Sequence, residues 1–357
     1  MKNWLPDAWL TICYVLAGAL SLVVLTSISP DRVGQQALMF VLGFAIYLYL
    51  ASQEMAVYKT FAPVAYAVTV LLLTLTLIFG ETVRGSTRWF RIGGFQLQTG
   101  EFAKPLLVLA FGFFLVRYPP KNFKNILLNL LFFAIPVLLI FKQPDLGTAL
   151  AVSSIWVAQI FVSGISYWLI ALAGGLALVF AKFLPSILHD YQLRRLETFI
   201  DPFRDPLGAG YNVIQSIIAV GSGGILGRGL GHGTQSHLRF LPERHTDFIF
   251  ASLAEELGLF GSLLVIICLG GLLYRLLTLA THASNQSSRL IYLGTFGYLF
   301  FQTFINIGMN IGIAPVTGVT LPLISYGGSS IIATAITLGI AASCARGDRH
   351  RTLIEIK

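Results

Sequence analysis

Charge is what this 357-residue chain has least of. Asp, Glu, Lys and Arg make up 11% of it, where soluble domains carry about a quarter. An ordinary water-soluble fold is therefore excluded. Cysteine is scarce too: Cys13, Cys268 and Cys344 all lie in apolar runs, so they read as small buried hydrophobes and not as a disulfide framework. His232, His237 and His245 share one hydrophilic stretch but lack the spacing of paired zinc ligands. Glycines recur from Gly221 to Gly233 without a dinucleotide fingerprint or a Walker pattern, which argues against nucleotide binding. Two readings of that Gly-rich turn stay open: backbone N–H groups offered to a pyrophosphate, or close packing of backbone on helices.

What is abundant is apolar sequence. Hydrophobic residues make up 55% of the chain and the mean hydropathy is +0.77, the signature of a polytopic membrane protein. At about 20 apolar residues per crossing, spans are expected at 8–27, 34–52, 61–80, 102–118, 124–142, 147–164, 166–184, 248–274, 290–313 and 323–344. The first lacks a small-residue cleavage pattern after it and reads as a retained span. The fold class expected is thus an all-α polytopic membrane protein, one domain over 1–357. It has about ten transmembrane helices and one large structured extracellular loop at 185–247. Within that loop, 212–226 is too short and Gly-rich to span and too apolar to float in water, so it should be a re-entrant or interfacial piece packed on the bundle. The span after Asp247 is expected to be hinged at Gly258 or Gly261.

An even number of spans puts both termini on one side. Lys59, Arg117, Lys121, Lys124, Arg275, Arg289, Arg346, Arg349 and Arg351 fall on that side, which the positive-inside rule makes cytoplasmic. Another set of basic groups, Arg84, Arg88, Arg91, Arg194, Arg195, Arg204, Arg228, Arg239 and Arg244, faces outward. They either meet an anionic partner at the outer surface or snorkel to membrane lipid headgroups and pair with Glu197, Asp201 and Asp205.

Ionisable groups beside a low-dielectric slab need a reason to be there. The densest set is FLPERHTDFIF, with Glu243, Arg244, His245, Thr246 and Asp247 against an apolar run. Asp247 is either a functional carboxylate or the cap of the helix that follows. Glu255 and Glu256 lie about two turns deeper and should be paired or protonated. Glu101 and Lys104, three residues apart, share a helix face as a structural ion pair or as part of a substrate path. Asp145 has the position of a helix cap or of a site residue.

The chain resembles the SEDS family (shape, elongation, division and sporulation), which comprises the RodA, FtsW and SpoVE proteins. Three strings carry the resemblance: NIGMNIGIAPVTGVTLPLISYGGSS from Asn306 to Ser330, GLGHGTQSHLRFLPERHTDFIFASLAEELG from Gly229 to Gly258, and WFRIGGFQLQTGEFAKP with KQPDLGTAL. The stretch TQSHLRFLPERHTDF is closer to RodA, while NIGMNIG and TLPLISYGGSS lean toward FtsW. Thr99 departs from the Pro-Ser that usually precedes the Glu.

The resemblance implies a processive peptidoglycan glycosyltransferase that uses lipid II at the outer face of the bacterial cytoplasmic membrane, serving an elongation or division complex. It implies Asp247 as the general base and a class B penicillin-binding protein as partner. Arg91, Arg194, Arg195 and Arg244 are the candidates for holding the leaving pyrophosphate, with Glu101, Lys104 and His245 lining the site. A divalent cation, Mg or Mn, is a possible helper with no ligand set in the sequence. Nucleic acid is not an expected partner. The rival function is a lipid II flippase, whose essential charges would cluster at the bilayer midplane.

Overall fold

The computed structural model describes residues 6–83, 86–92, 95–166, 168–169, 171–172, 174–175, 190–238 and 240–355. Helices α1 (Ala8–Ile28), α2 (Pro30–Ser52) and α3 (Met55–Phe79) lead into a small sheet. Its strands are β1 (Glu81–Val83), β2 (Ser86–Ile92) and β3 (Phe95–Gln98), antiparallel in the order β1-β2-β3, with Trp89 opposite Gln98 and Arg91 opposite Gln96. Helices α4 (Thr99–Arg117), α5 (Phe123–Lys142) and α6 (Leu146–Ile160) follow, then α7 (Asp190–Ile200), a short turn at Pro202–Arg204, α8 (Tyr211–Gly223) and the single-turn α9 (Thr234–His237). Three long helices end the chain: α10 (Ile249–Thr281), α11 (Gln286–Asn310) and α12 (Gly328–Glu355).

Local chemistry sets many of these boundaries. Asp7 caps α1 by accepting from Leu10 N, and Asn122 and Asn285 cap α5 and α11, each taking an orphan N–H of a first turn, while Pro30 opens α2 where its missing N–H costs nothing. Within α10, Gly258 has φ 65° and ψ −158°, conformations closed to a residue with a Cβ, so the expected hinge falls there.

Eight helices among the described residues are long and apolar enough to cross a membrane, and α6, at 15 residues, is shorter. The protein is polytopic and mostly α-helical. Burial orders the layers: the apolar windows of α12 and α4 are 78% and 72% buried against 17% for α5. The first two form the centre; α5 lies outside with Phe123, Leu131 and Leu138 exposed. Packing at the centre is close, since a Cβ on Gly43 of α2 would stand 3.3 Å from that of Ala335 of α12.

Two expectations need correction. An all-α fold leaves out the sheet at 81–98, where the alternating STRWFRI string suits a pleated half-buried surface. The last span starts at Gly328, not 323, because Leu323 takes φ 60° and the backbone turns there. The expected span at 166–184 lies mostly outside the described residues. The 212–226 piece forms α8, which packs on α10 and α11, with Ser216 Oγ donating to Asn310 O at 2.9 Å.

Candidate active site

The turn that carries Asp247 is closed on itself before it is clamped from outside. Thr246 N and Phe248 N both donate to Glu243 O, at 3.0 and 3.2 Å, and Thr246 Oγ1 donates to the Glu243 carboxylate at 3.0 Å. Glu243 adopts φ 52°, a left-handed conformation that costs a non-glycine residue about 1–2 kcal/mol. Helix α10 then starts with Phe248 at its cap position and no side-chain cap bond. Asp247 is therefore not the N-cap, whereas Asp145 is one, accepting from Thr148 N at 3.1 Å.

Three successive carbonyls of this turn are held by the segment 306–326. Tyr326 N donates to His245 O at 2.9 Å and Ser325 Oγ to Thr246 O at 2.7 Å. Asp247 O accepts from both Asn306 Nδ2 and Asn310 Nδ2, at 3.0 and 3.1 Å. Both asparagines are fully buried, so each bond replaces a costly unpaired group. Gly318, farther along the same segment, takes φ 74°, and a Cβ there would stand 3.7 Å from Asp247 Oδ2. The carboxylate, half-buried, thus lies beside the Gly318 turn.

A second acidic pair ties the preceding loop to α10. Glu255 is fully buried, and its carboxylate accepts from Gln235 N at 2.8 Å, Ser236 N at 3.0 Å and Ser236 Oγ at 2.8 Å. Glu256, also fully buried, accepts from Ser27 Oγ at 2.6 Å and meets His237 Nε2 at 2.9 Å. Arg228 N and Gly229 N bond to the carbonyls of the same two residues. These acids are paired, and they fold the Gly-rich turn onto the bundle, which takes up most of its N–H groups and favours the packing reading.

The cations separate into two kinds. Arg244 gives Nε and Nη2 to Ile28 O, at 3.2 and 3.1 Å, closing the carboxyl end of α1. Arg91 is exposed and 3.8 Å from Glu81. Arg194 and Arg195 lie on α7, which packs against the Pro202–Arg204 turn. Lys104, by contrast, is 2% exposed and bonds Glu101 at 2.7 Å. Arg88 pairs with the buried Asp145 at 3.3 Å, and Gln98 Nε2 donates to the same carboxylate at 3.2 Å.

Arg32 was not singled out from the sequence, since a lone Arg at the start of a span reads as an interfacial anchor. In the structure its Nη1 is 2.6 Å from His245 Nε2 and its guanidinium lies 5.0 Å from the Tyr326 ring centroid. Tyr326 is in turn held by Gln35, its hydroxyl donating to Oε1 at 2.7 Å. Burial first, and then the Arg32 charge, push the His245 imidazole down to a pKa of about 4. His245 is therefore a neutral acceptor that fixes Arg32.

Two spaces adjoin these groups. An apolar groove of about 430 Å³, lined by Leu72, Leu75, Phe90, Leu97, Phe102 and Ile336 among others, opens between α3, α4, α12 and the sheet. A small polar cavity lies between Glu101 and Gly318. No three His, Cys, Asp or Glu residues among those described come together as a metal site, and no step below is routed through a metal.

The 306–330 segment thus meets both other strings, at the Asp247 turn and at Gln98 and Gly147, and residues 7–350 match the cell cycle protein family FtsW/RodA/SpoVE. The chain belongs to that family. It is 42% identical over 317 residues to the peptidoglycan glycosyltransferase MrdB of Escherichia coli K12, covering 87% of this chain and 84% of that one. It is 36% identical over 362 residues to the probable peptidoglycan glycosyltransferase FtsW of Coxiella burnetii, covering 95% of each. Among solved structures, a chain from a peptidoglycan synthase complex that coordinates polymerization and crosslinking superposes with a TM-score of 0.84 at 36% identity, over 96% of this chain and 98% of that one. The rod shape determining protein RodA of Thermus thermophilus superposes at 0.73 and 31% identity, over 96% and 98%. Members of both the RodA and the FtsW branch are thus similar to it.

Proposed function

We propose that this protein is a peptidoglycan glycosyltransferase that polymerises lipid II at the outer face of the cytoplasmic membrane. The observation that carries the reading is the clamp on the turn that bears Asp247, in which the carbonyls of His245, Thr246 and Asp247 are each held by the segment 306–326 while the Asp247 carboxylate lies beside Gly318. Such rigidity is what a positioned general base needs. The 4-hydroxyl oxygen of the acceptor's N-acetylglucosamine attacks C1 of the donor's N-acetylmuramic acid. Asp247 takes the hydroxyl proton, and the C1–O bond to undecaprenyl pyrophosphate breaks with its electron pair going to the leaving oxygen. The configuration at C1 inverts.

Positive charge for the pyrophosphate comes from Arg32, held by His245 and Tyr326, while Glu101 and Lys104 line the site as a neutral pair. Arg91, Arg194 and Arg195, on exposed outer elements, serve the approach of the anionic substrate. The apolar groove beside α3 and α4 takes part of the lipid tail. Ten spans leave both termini cytoplasmic and the loop at 185–247 outside. The partner is a class B penicillin-binding protein that cross-links the new strand, in an elongation or division complex.

The test is polymerisation of purified lipid II by the protein with its transpeptidase partner. Asp247→Asn should abolish glycan product while partner binding persists. Glycan of normal length from that variant would rule Asp247 out as the base, and substrate movement without polymer from the unaltered protein would favour the flippase.

A further inference from the structure

Gly147 stands in the first turn of α6. Its φ lies outside the left-handed region, so the backbone there is open to any residue, and alanine is the better helix former. Space is what the missing side chain provides. A methyl group on Gly147 would stand 2.6 Å from Val319 Cγ2 and 2.9 Å from Thr317 O, both inside ordinary contact. The start of α6 is itself anchored, because Asp145 accepts from Thr148 N on one oxygen while Arg88 and Gln98 hold the other. The segment that Gly147 touches also meets Asp247. A Cβ on Gly318 would stand 3.7 Å from Asp247 Oδ2, and Asn306 Nδ2 donates both to Val319 O, at 2.7 Å, and to Asp247 O, at 3.0 Å.

From these contacts we propose that Gly147 is a positioning residue for the glycosyl transfer: its bare backbone lets residues 317–319 settle against α6 and so sets where the Asp247 carboxylate stands relative to the acceptor hydroxyl. The proposal rests on Asp247 being the base. A methyl group added at Gly147 meets two neighbours of different kinds. The Val319 methyl belongs to a side chain and can turn aside, but Thr317 O belongs to the main chain and reaches ordinary contact only if the segment moves by roughly half an ångström. That movement reaches Asp247 twice, at the carboxylate through the Gly318 contact and at the main chain through Asn306. Proton abstraction tolerates little of it, since a displacement of about 1 Å caused by a remote change can cost about 100-fold in rate. Substrate binding is spread over many contacts and changes little. The loss therefore falls on kcat and not on KM.

Variants of the full-length protein, assayed with its transpeptidase partner on lipid II, test this. Gly147→Ala should lower kcat about tenfold, with KM for lipid II within about twofold. Val319→Ala loosens the same contact from the other partner and should lower kcat about threefold; it carries the test if Gly147→Ala does not assemble. With both changes in one chain, kcat should exceed that of Gly147→Ala alone, because the smaller side chain makes room for the added methyl. Gly297→Ala is the control for packing. A methyl there would stand 2.6 Å from Ser154 O and 2.7 Å from the Cβ of Ala158, which strains α6 farther along its length, so the thermal midpoint should fall while kcat per folded molecule is unchanged. Parent-like kcat in the folded single variants, a loss confined to KM, losses that simply multiply in the double variant, or an equal kcat loss in Gly297→Ala would overturn the positioning role. If Asp247→Asn is inactive while Gly147→Ala behaves as the parent, the positioning role alone fails; if Asp247→Asn polymerises normally, the base assignment fails with it.

Discussion

Asn310 grips Asp247 at the main chain: Nδ2 donates to Asp247 O at 3.1 Å, while Oδ1 of the same carboxamide accepts from Ala251 N at 3.0 Å. One side chain on α11 thus fixes both the residue before α10 and its first turn. Replacing Asn310 with Leu leaves a buried N–H unpaired at a cost of about 1–3 kcal/mol. We expect a lower midpoint of thermal unfolding and a loss of polymerisation larger than the loss of folded protein, because Asp247 is no longer held in place. Asn306→Ala should do the same more weakly. The double variant should cost less than the sum, since both asparagines donate to one carbonyl. Thermal unfolding in detergent beside single-turnover kinetics on lipid II checks this; strictly additive losses would show that the two act separately.

The Glu101–Lys104 pair makes a stability prediction. Both residues are nearly fully buried and 2.7 Å apart. Removing one member of a buried pair strands the other, at a cost of about 3–5 kcal/mol, so Lys104→Met should be severely destabilised. The double change Glu101→Gln with Lys104→Met should recover much of the folded yield and stay inactive. Equal stability of the single and double variants would show that the pair is hydrated and not desolvated.

His245 gives a pH dependence. Its pKa in the folded protein is about 4, below the ordinary 6.5, chiefly through burial. The unfolded chain therefore takes up a proton near pH 6.5 that the folded one does not accept until about pH 4. The stabilisation is complete above about pH 6.5 and declines as the pH falls toward 4. His245→Gln should flatten that part of the stability curve. Imidazole resonances followed by NMR should titrate near 4; titration near 6.5 would contradict the neutral acceptor role.

How much of this was legible in the sequence depended on whether a residue acts locally. The Asp145 cap, the Glu101–Lys104 pair and the Gly258 hinge follow from short-range rules of spacing and conformation, and the helices from apolar runs. The sheet at 81–98 was not legible against a composition dominated by spans. Arg32 was invisible because its role depends on His245 and Tyr326, 213 positions beyond it and at 326 respectively. Arg244 shows the converse: it is beside Asp247 in sequence, and the structure adds a distant tie, two bonds from its guanidinium to Ile28 O at the end of α1.

That contrast between the two arginines can be measured. Arg244 donates twice to Ile28 O, one of the carbonyls left unpaired at the end of α1. Arg244→Ala should therefore lower the thermal midpoint, by the order of 1–3 kcal/mol lost with such charged bonds, and leave KM for lipid II near its original value in the protein that remains folded. Arg32 is 39% exposed at its side chain, is held by a neutral histidine and a ring face, and has the exposed Asp31 carboxylate 3.8 Å away, a solvent-screened pairing with which an incoming phosphate competes. Arg32→Ala should change stability little and raise KM or lower kcat at least tenfold. Arg32→Lys should recover only part of this, because an ammonium cannot match the forked donors of a guanidinium on a phosphate. Raised KM from Arg244→Ala with unaltered stability, or unaltered kinetics from Arg32→Ala, would reverse the assignment.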